Sequence, residues 1–413
     1  MAQIGGDKMV LVQFLDILAL SILVPAVPPT ILKTGGTLMH LGCLMSLSAA
    51  VRLISSKICA ELLKVSGKRT LLQYSLIISC FFNALLYLVS SCFYGIMLNR
   101  VLFLLFNQVP LLSSMLVSKE DGNQSALKNP LTQRLIAGLA GCAIVGSIID
   151  SKGGFYVLVL LSTAISGIAA AIAMQDQPKE KEKEKQLTPS TVIDVLKKTY
   201  VSTMKDIRDI DIHFANWDAL LTKSLLVINA KVVYILFVVL IIFVFQGKGS
   251  LVNATAAYQT IILSLSGIAF NKLNLYVNNM GNPKQILEKS LLACILCAFL
   301  LSCAPSYSFY LFMFIPFVIS RAFIEYYFIE VFETKKNQKL TQDLETVSTI
   351  TEVVGPLFVG LVFQLLKHNA YRLLTVLPFV AIYYIVSKRV YREVKPEKTV
   401  ETKEEQSKAK KDE

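Results

Sequence analysis

The sequence is poor in charge, in histidine and in the short motifs of soluble catalysis. Only 17% of its 413 residues are charged, against roughly 25% in a typical soluble domain. Its three histidines, His40, His213 and His368, are too few and too dispersed for a histidine metal site. No GxSxG, HExxH or complete P-loop occurs, and Gly247-Lys248-Gly249-Ser250 resembles only the end of one. Cys294-Ile-Leu-Cys297 has CxxC spacing but no second pair nearby, and apolar flanks make it membrane helix rather than a metal or redox site. The net charge of +12 comes without an arginine-rich arm or nucleic-acid motif. These absences argue against a soluble enzyme, a metal centre and a nucleic-acid partner, so no cofactor is expected.

What the sequence holds instead is apolar length. The hydrophobic set makes up 54% of residues, and it comes in long blocks. A bilayer core of about 30 Å is crossed by roughly 20 apolar residues in helix. Blocks of that length predict twelve spans, at 9–33, 38–63, 70–92, 93–118, 133–150, 154–174, 219–245, 252–277, 286–304, 307–332, 345–366 and 371–388. The fold class is therefore an all-α polytopic membrane protein. Lysine and arginine gather in alternate gaps: Lys64, Lys68 and Arg69, then Lys119, Lys128 and Arg134, then Lys335, Lys336 and Lys339. The other gaps hold about one each, which places both termini in the cytoplasm. On this reading residues 1–8 are a cytoplasmic N-terminus, 9–174 and 219–388 are two six-helix bundles, and 389–413 is a disordered charged tail. The cytoplasmic loop 175–218 begins with a Lys/Glu run, and a helix follows from Pro189 with Val192, Val195, Leu196 and Tyr200 on one face. That helix is expected to lie along the membrane surface. Most of the eight cysteines fall inside spans as small hydrophobes. Cys92 and Cys303 are near the outer face, where a disulfide between them is an option.

The most informative pattern is repetition. Gly281 follows Gly67 by 214 residues, Gly355 follows Gly141 by 214, and Gly360 follows Gly146 by 214. One shared offset, with a long central loop, indicates two six-span halves built alike. Such halves form a pseudo-symmetric bundle with a site between them near mid-membrane.

These features resemble the major facilitator superfamily over residues 9–390. Phe14-Leu15-Asp16, with Val24-Pro25 and Pro28-Pro29, is similar to the first span of the tetracycline-type drug antiporter branch. Gly67, Lys68 and Arg69 match the end of the superfamily's GxxxDRxGRR loop, with Ala60 in place of the first glycine and Lys64 in place of the aspartate. Gly141 and Gly146 match the antiporter motif GPxxGG, with Cys142 in place of its proline. The run to Gly153-Gly154-Phe155-Tyr156 distantly resembles the major facilitator superfamily domain-containing protein 9 group. The resemblance implies a gating motif of Gly67, Lys68, Arg69, Gly141, Gly146, Gly355, Pro356 and Gly360. It also implies that Lys64 repels the cationic surroundings of the family's loop aspartate.

Ionisable groups inside a membrane are functional candidates by default. Here they are Asp16, Arg52, Arg100, Lys231, Arg321, Glu325 and Glu352, with the polar Asn107, Gln108, Asn229 and Gln259. Asp16 has two readings: a protonatable carboxylate tuned by Arg52, Gln108 or Asn107, or one half of a fixed ion pair with Arg52. Arg100 either lines the cavity or snorkels outward. Lys231 either binds an anion or needs a carboxylate partner, and Arg321 and Glu325, four apart, share a helix face and are expected to pair. The function expected is secondary active transport of a small organic solute by alternating access, coupled or not to protons. The alternative is a non-transporting regulator or scaffold that kept the fold. Lipid and solute are the expected partners, the protein is expected to be a monomer, and the membrane is plasma membrane or endomembrane.

Overall fold

A computed structural model of the chain describes residues 2–112, 130–175, 189–208, 212, 216–277, 282–332, 338–366 and 370–394. All regular structure among them is helical: α1 Ala2–Leu23, α2 Val27–Lys33, α3 Leu38–Val65, α4 Lys68–Val89 and α5 Phe93–Phe106. Then follow α6 Pro130–Ile148, α7 Gly154–Gln175, α8 Pro189–Arg208 and α9 Trp217–Val239 with a π-helical end at Leu240–Val244. The rest are α10 Gly249–Val277, α11 Pro283–Ser302, α12 Tyr307–Val331, α13 Gln338–Leu366 and α14 Ala370–Val394. With α1 and α2 counted as one span and α8 set aside, these are the twelve crossings of two pseudo-symmetric halves.

Local chemistry sets the ends and breaks. The first crossing is split after Leu23 because Pro25 has no N–H and its ring crowds the preceding turn. Pro28 and Pro29 then fall in the first turn of α2, where a missing donor costs nothing. His40 Nδ1 accepts the Thr37 backbone N–H at 3.0 Å, which closes the start of α3. Between α6 and α7 the turn needs glycine twice. Gly153 has φ +81°, and a Cβ on Gly154 would sit 2.0 Å from the Ile148 carbonyl oxygen. A 40° bend in α10 falls between Gly267 and Ala269. Ser266 Oγ there donates to the Leu263 carbonyl, a contact that bends helices.

Four boundaries differ from the sequence expectation. The fourth span does not run unbroken from 93 to 118: α5 stops at Phe106, a helical piece resumes at 109–112, and 113–129 lies outside the described residues. Pro110 is the cause, because it cannot donate to the Phe106 carbonyl one turn back. Ser75 Oγ of α4 donates to that carbonyl instead at 3.2 Å and accepts the Gln108 N–H at 2.8 Å. The helix expected from 345 begins at Gln338, and the last helix continues to Val394, into the segment expected to be a disordered tail. Helix α1 likewise starts at Ala2, inside the expected N-terminal segment. The Lys/Glu run at 179–185, Gly281 and Lys335, Lys336, Lys119 and Lys128 lie outside the described residues.

Packing reproduces the repeat. In the first half α1 packs on α6 and α7, α4 on α7 and α5, and α3 on α5. In the second half α9 packs on α13 and α14, α11 on α14 and α12, and α10 on α12. Each pair has its counterpart six crossings on, which is the pseudo-twofold expected of duplicated halves. The halves meet along two seams, α3 with α13 and α6 with α10, which are also counterparts. Two arcs result, α9–α13–α3–α5 and α1–α6–α10–α12, with a space between them.

Candidate functional site

The end of the bundle where both termini and α8 emerge is called here the near end, and the opposite end the far end. At the far end the seams are tight. A Cβ on Gly42 of α3 would sit 2.4 Å from the Pro356 carbonyl oxygen and 3.1 Å from Gly360 Cα. Gly360 lies equally close to Leu38 and Met39. Leu32, Leu38 and Met45, all from the far part of the first half, pack on the hydrophobic core of the second. Across the other seam Gly146 faces the Ser250 carbonyl and Gly138 the Thr260 methyl.

The glycine repeat acquires a geometric meaning here. Gly141 and its counterpart Gly355 each pack inside their own half, against Ser21 of α1 and Ile228 of α9. Gly146 and its counterpart Gly360 each face the other half. Gly67 caps the start of α4, and Lys68 and Arg69 open that helix.

A carboxylate closes the α6–α10 seam. Asp150 Oδ1 accepts the Gly249 backbone N–H at 3.0 Å and Oδ2 accepts the Ser250 N–H at 2.9 Å. These are orphan donors at the N-terminus of α10, so the contact adds hydrogen bonds to a favourable helix dipole. Burial pushes the Asp150 carboxyl up, but hydrogen bonds from Ser250 and Gly249 and the charge of Lys33 outweigh it and hold it below the ordinary aspartate value.

Toward the near end the same helix faces open. On α13, Val359 and Phe363 are buried, whereas Glu352, on the same stripe two turns nearer than Val359, has half its side chain exposed. On α3, Met45 is half-buried against the second half, and Arg52, two turns further on the same stripe, is exposed. The lipid-facing stripes lie elsewhere, at Leu47 and Ile54 on α3 and at Val354, Leu361 and Leu365 on α13. Arg52 and Glu352 therefore look into the space between the arcs, about 15 Å and 12 Å inward of the Gly42–Gly360 contact.

The remaining sequence candidates divide between this space and the helix packing. Lys231 Nζ of α9 lies 3.9 Å from Glu352 Oε1. Arg321 and Glu325 do pair: Nε and Nη2 both donate to one carboxylate oxygen, at 3.0 and 2.8 Å. Asp16 is 2% exposed, makes no ion pair, and its Oδ2 meets no donor. The expected tether to Arg52 is not formed, because α1 turns Asp16 into its own half while α3 turns Arg52 to the open space. Arg100 neither snorkels nor reaches that space. It is buried in the first half, with Nη2 donating to Asn99 at 3.0 Å and Asn83 at 3.3 Å and its guanidinium over the Phe103 ring. Asn229 donates to the Thr375 carbonyl of α14 at 3.2 Å, and Gln259 donates to Tyr310 at 3.1 Å. Asn107 Oδ1 accepts the Val109 N–H, so both Asn107 and Gln108 belong to the helix break. Lys64 does not repel its surroundings, because Glu61, one turn earlier, pairs with it and with Lys198 of α8.

Sequence reasoning did not single out Asp150, Gly42, Ser75, Asn83 or Glu61. Asp150 carried a signal, an acidic residue just before the Gly153-Gly154 turn at a predicted span end. Ser75 and Asn83 carried none, since their partners are distant in the chain. All eight cysteines are free, including Cys92 and Cys303. Among the described residues no group of three His, Cys, Asp or Glu side chains is arranged to hold a metal.

No family profile and no curated protein sequence matches the chain. Solved structures do match its fold. The nucleoside transporter NupG superposes with a TM-score of 0.62 at 13% identity, over 93% of this chain and 98% of that one. A bacterial homolog to the human lysosomal transporter Spinster, in an inward-facing and unoccupied conformation, gives 0.63 at 11% identity over 94% and 95%. The human organic anion transporter MFSD10 gives 0.53 at 12% identity over 93% and 99%. The chain has the fold of major facilitator transporters, a multi-pass membrane architecture.

Proposed function

We propose that the protein is a secondary active transporter that moves a small organic solute by alternating access, with both termini in the cytoplasm. The observation that carries this reading is the change along single helix stripes, buried at the far end and open at the near end. That is the arrangement of a carrier facing the cytoplasm. The far-end seams rest on the close approach of Gly42 and Gly360, the apolar contacts of Leu32 and Leu38, and one hydrogen-bonded carboxylate, discrete contacts that can be given up together. The fold neighbours named above are transporters by title, one of nucleosides and one of organic anions, which supports a small organic solute. Proton coupling is assigned to Asp16, a buried carboxyl with an undonated oxygen and no fixed cation. The protein acts as a monomer in this reading, in the plasma membrane or an endomembrane, and belongs with the antiporter-like branch of the superfamily.

The test has two parts. Single cysteines at the far-end seam and in the near-end space are probed with membrane-impermeant reagents from each side. Both are expected to label, and far-end labelling is expected to change with solute. Labelling confined to one side under every condition would refute alternating access and favour a scaffold that kept the fold. Solute flux in proteoliposomes is then measured with and without a pH gradient. Normal gradient-driven flux in Asp16→Asn removes the proton assignment alone.

A further inference from the structure

Two of the intramembrane cations, Arg52 and Lys231, face the near-end space, and among the described residues one of them has no partner. Arg52 is exposed; among the described residues it joins no ion pair, and the one hydrogen bond it takes part in is accepted by its backbone carbonyl from Ser55 Oγ. It is flanked by the packed face of α3, with Leu44, Ser55 and Cys59 buried, and by the Met45 seam, with the lipid-facing stripe on the other side. An unpaired arginine at that depth is costly unless it faces water or a ligand. Lys231 is the second cation. Its 3.9 Å separation from Glu352 is long beside the 2.7–2.9 Å of a good ammonium–carboxylate bond, so its donors are little committed. Glu352 is the one acid on the facing stripe at this depth. Glu345, two turns further out on α13, is exposed at the near-end mouth.

We infer that Arg52 and Lys231 form a subsite for an oxyanion, a carboxylate or phosphate carried by the transported solute. This rests on the transporter reading. Arg52 offers a planar fork that fits either group bidentately, and Lys231 adds a movable point charge from the opposite half. A ligand held by one cation from each half bridges the two bodies that must rock, so the charge that binds the solute also couples it to the motion. Glu352, released from Lys231 when the oxyanion arrives, is left near the remainder of the solute and would favour a donor or an ammonium there.

The experiment uses Ser56→Cys, one turn toward the near end from Arg52 and exposed. The partly accessible Cys43, Cys80, Cys92 and Cys303 are replaced, and the four buried cysteines are kept. Inside-out vesicles are treated with sulfonatoethyl or trimethylammonioethyl methanethiosulfonate. The anionic reagent is expected to be favoured, and Arg52→Gln to lower the anion-to-cation rate ratio by about tenfold, from one unit charge at short range in a hydrated cavity. Arg52→Lys is expected to keep most of the ratio. Benzoate and phenyl phosphate are added as protectants beside benzyl alcohol, and whichever slows labelling identifies the oxyanion. A ratio indifferent to Arg52→Gln, or protection by neither anion, overturns the subsite while the space itself stands. Absence of labelling from the near end overturns the space, and the subsite with it.

Discussion

Asp150 is an exposed residue at which the far end can be weakened without touching the core. The perturbation is Asp150→Ala, which removes both acceptors from the Gly249 and Ser250 N–H groups. Loss of a helix N-terminal acceptor costs about 0.5–2 kcal/mol. The site is solvent-exposed, so its Coulombic part is screened. A net loss of about 1 kcal/mol shifts the balance between far-closed and far-open forms by roughly fivefold. Asp150→Asn keeps one acceptor oxygen and is expected to fall between the two. The assay is electron–electron distance measurement between spin labels at Lys152→Cys in the first half and the exposed native Cys303 in the second, with the accessible Cys43, Cys80 and Cys92 replaced. The longer-distance population should grow severalfold in Asp150→Ala, with little change in thermal stability. The sign of the pH effect is also fixed. A carboxyl held below its ordinary value contributes fully above that value and loses its contribution as pH falls through the depressed one. The latch is therefore intact at pH 5 as at pH 8 and weakens only on stronger acidification. An unchanged distance distribution in Asp150→Ala, or an Asp150-dependent transition between pH 5 and 8, would refute this account of the seam.

Two other substitutions separate seam from scaffold. Gly42→Ala puts a methyl 2.4 Å from a backbone oxygen of the other half, so it should favour the far-open form by about 1–3 kcal/mol. Gly355→Ala meets Ile228 Cγ1 at 3.4 Å and Thr351 Cγ2 at 3.8 Å, both within its own half, and should be near neutral in the same distance measurement. Ser75→Ala leaves the Phe106 carbonyl and the Gln108 N–H without their partner. It should lower stability by about 1–3 kcal/mol, seen as a reduced melting temperature in detergent, while Ser56→Ala should not.

The sequence was readable where one physical rule acts along the chain. Hydropathy located most of the spans to within a few residues, because a bilayer demands an apolar length, but it missed the break in the fourth and the polar turns that extend the first, eleventh and twelfth. The shared glycine offset announced the two halves, although only Gly141 and Gly360 sit where a Cβ would crowd a neighbour, while Gly146 and Gly355 have room for one. It did not say which glycines pair within a half and which across, since Gly141 and Gly146 differ only in which way α6 turns them. Pro110 causes the break at Asn107, but the partner that satisfies the freed backbone groups is a serine some thirty residues earlier, a distance no local pattern spans. The ion pair expected of Asp16 and Arg52 rested on similar depth alone. Depth is legible from counting residues, but azimuth depends on packing, and the two side chains face different surroundings. Arg321 and Glu325, by contrast, pair as expected because both the spacing and the face are properties of one helix.

Helix α8 docks mainly on α3, through Val195, Thr199 and the Lys198–Glu61 pair. Ile193, Leu196 and Tyr200 point away from that contact. The helix is thus carried by one half like a keel fixed to a single hull. In the proposed rocking cycle that keel would travel with its own half and slide against the headgroup layer. The thickness and composition of the surrounding leaflet would then weigh on the turnover of the whole molecule, through a segment that never meets the cargo.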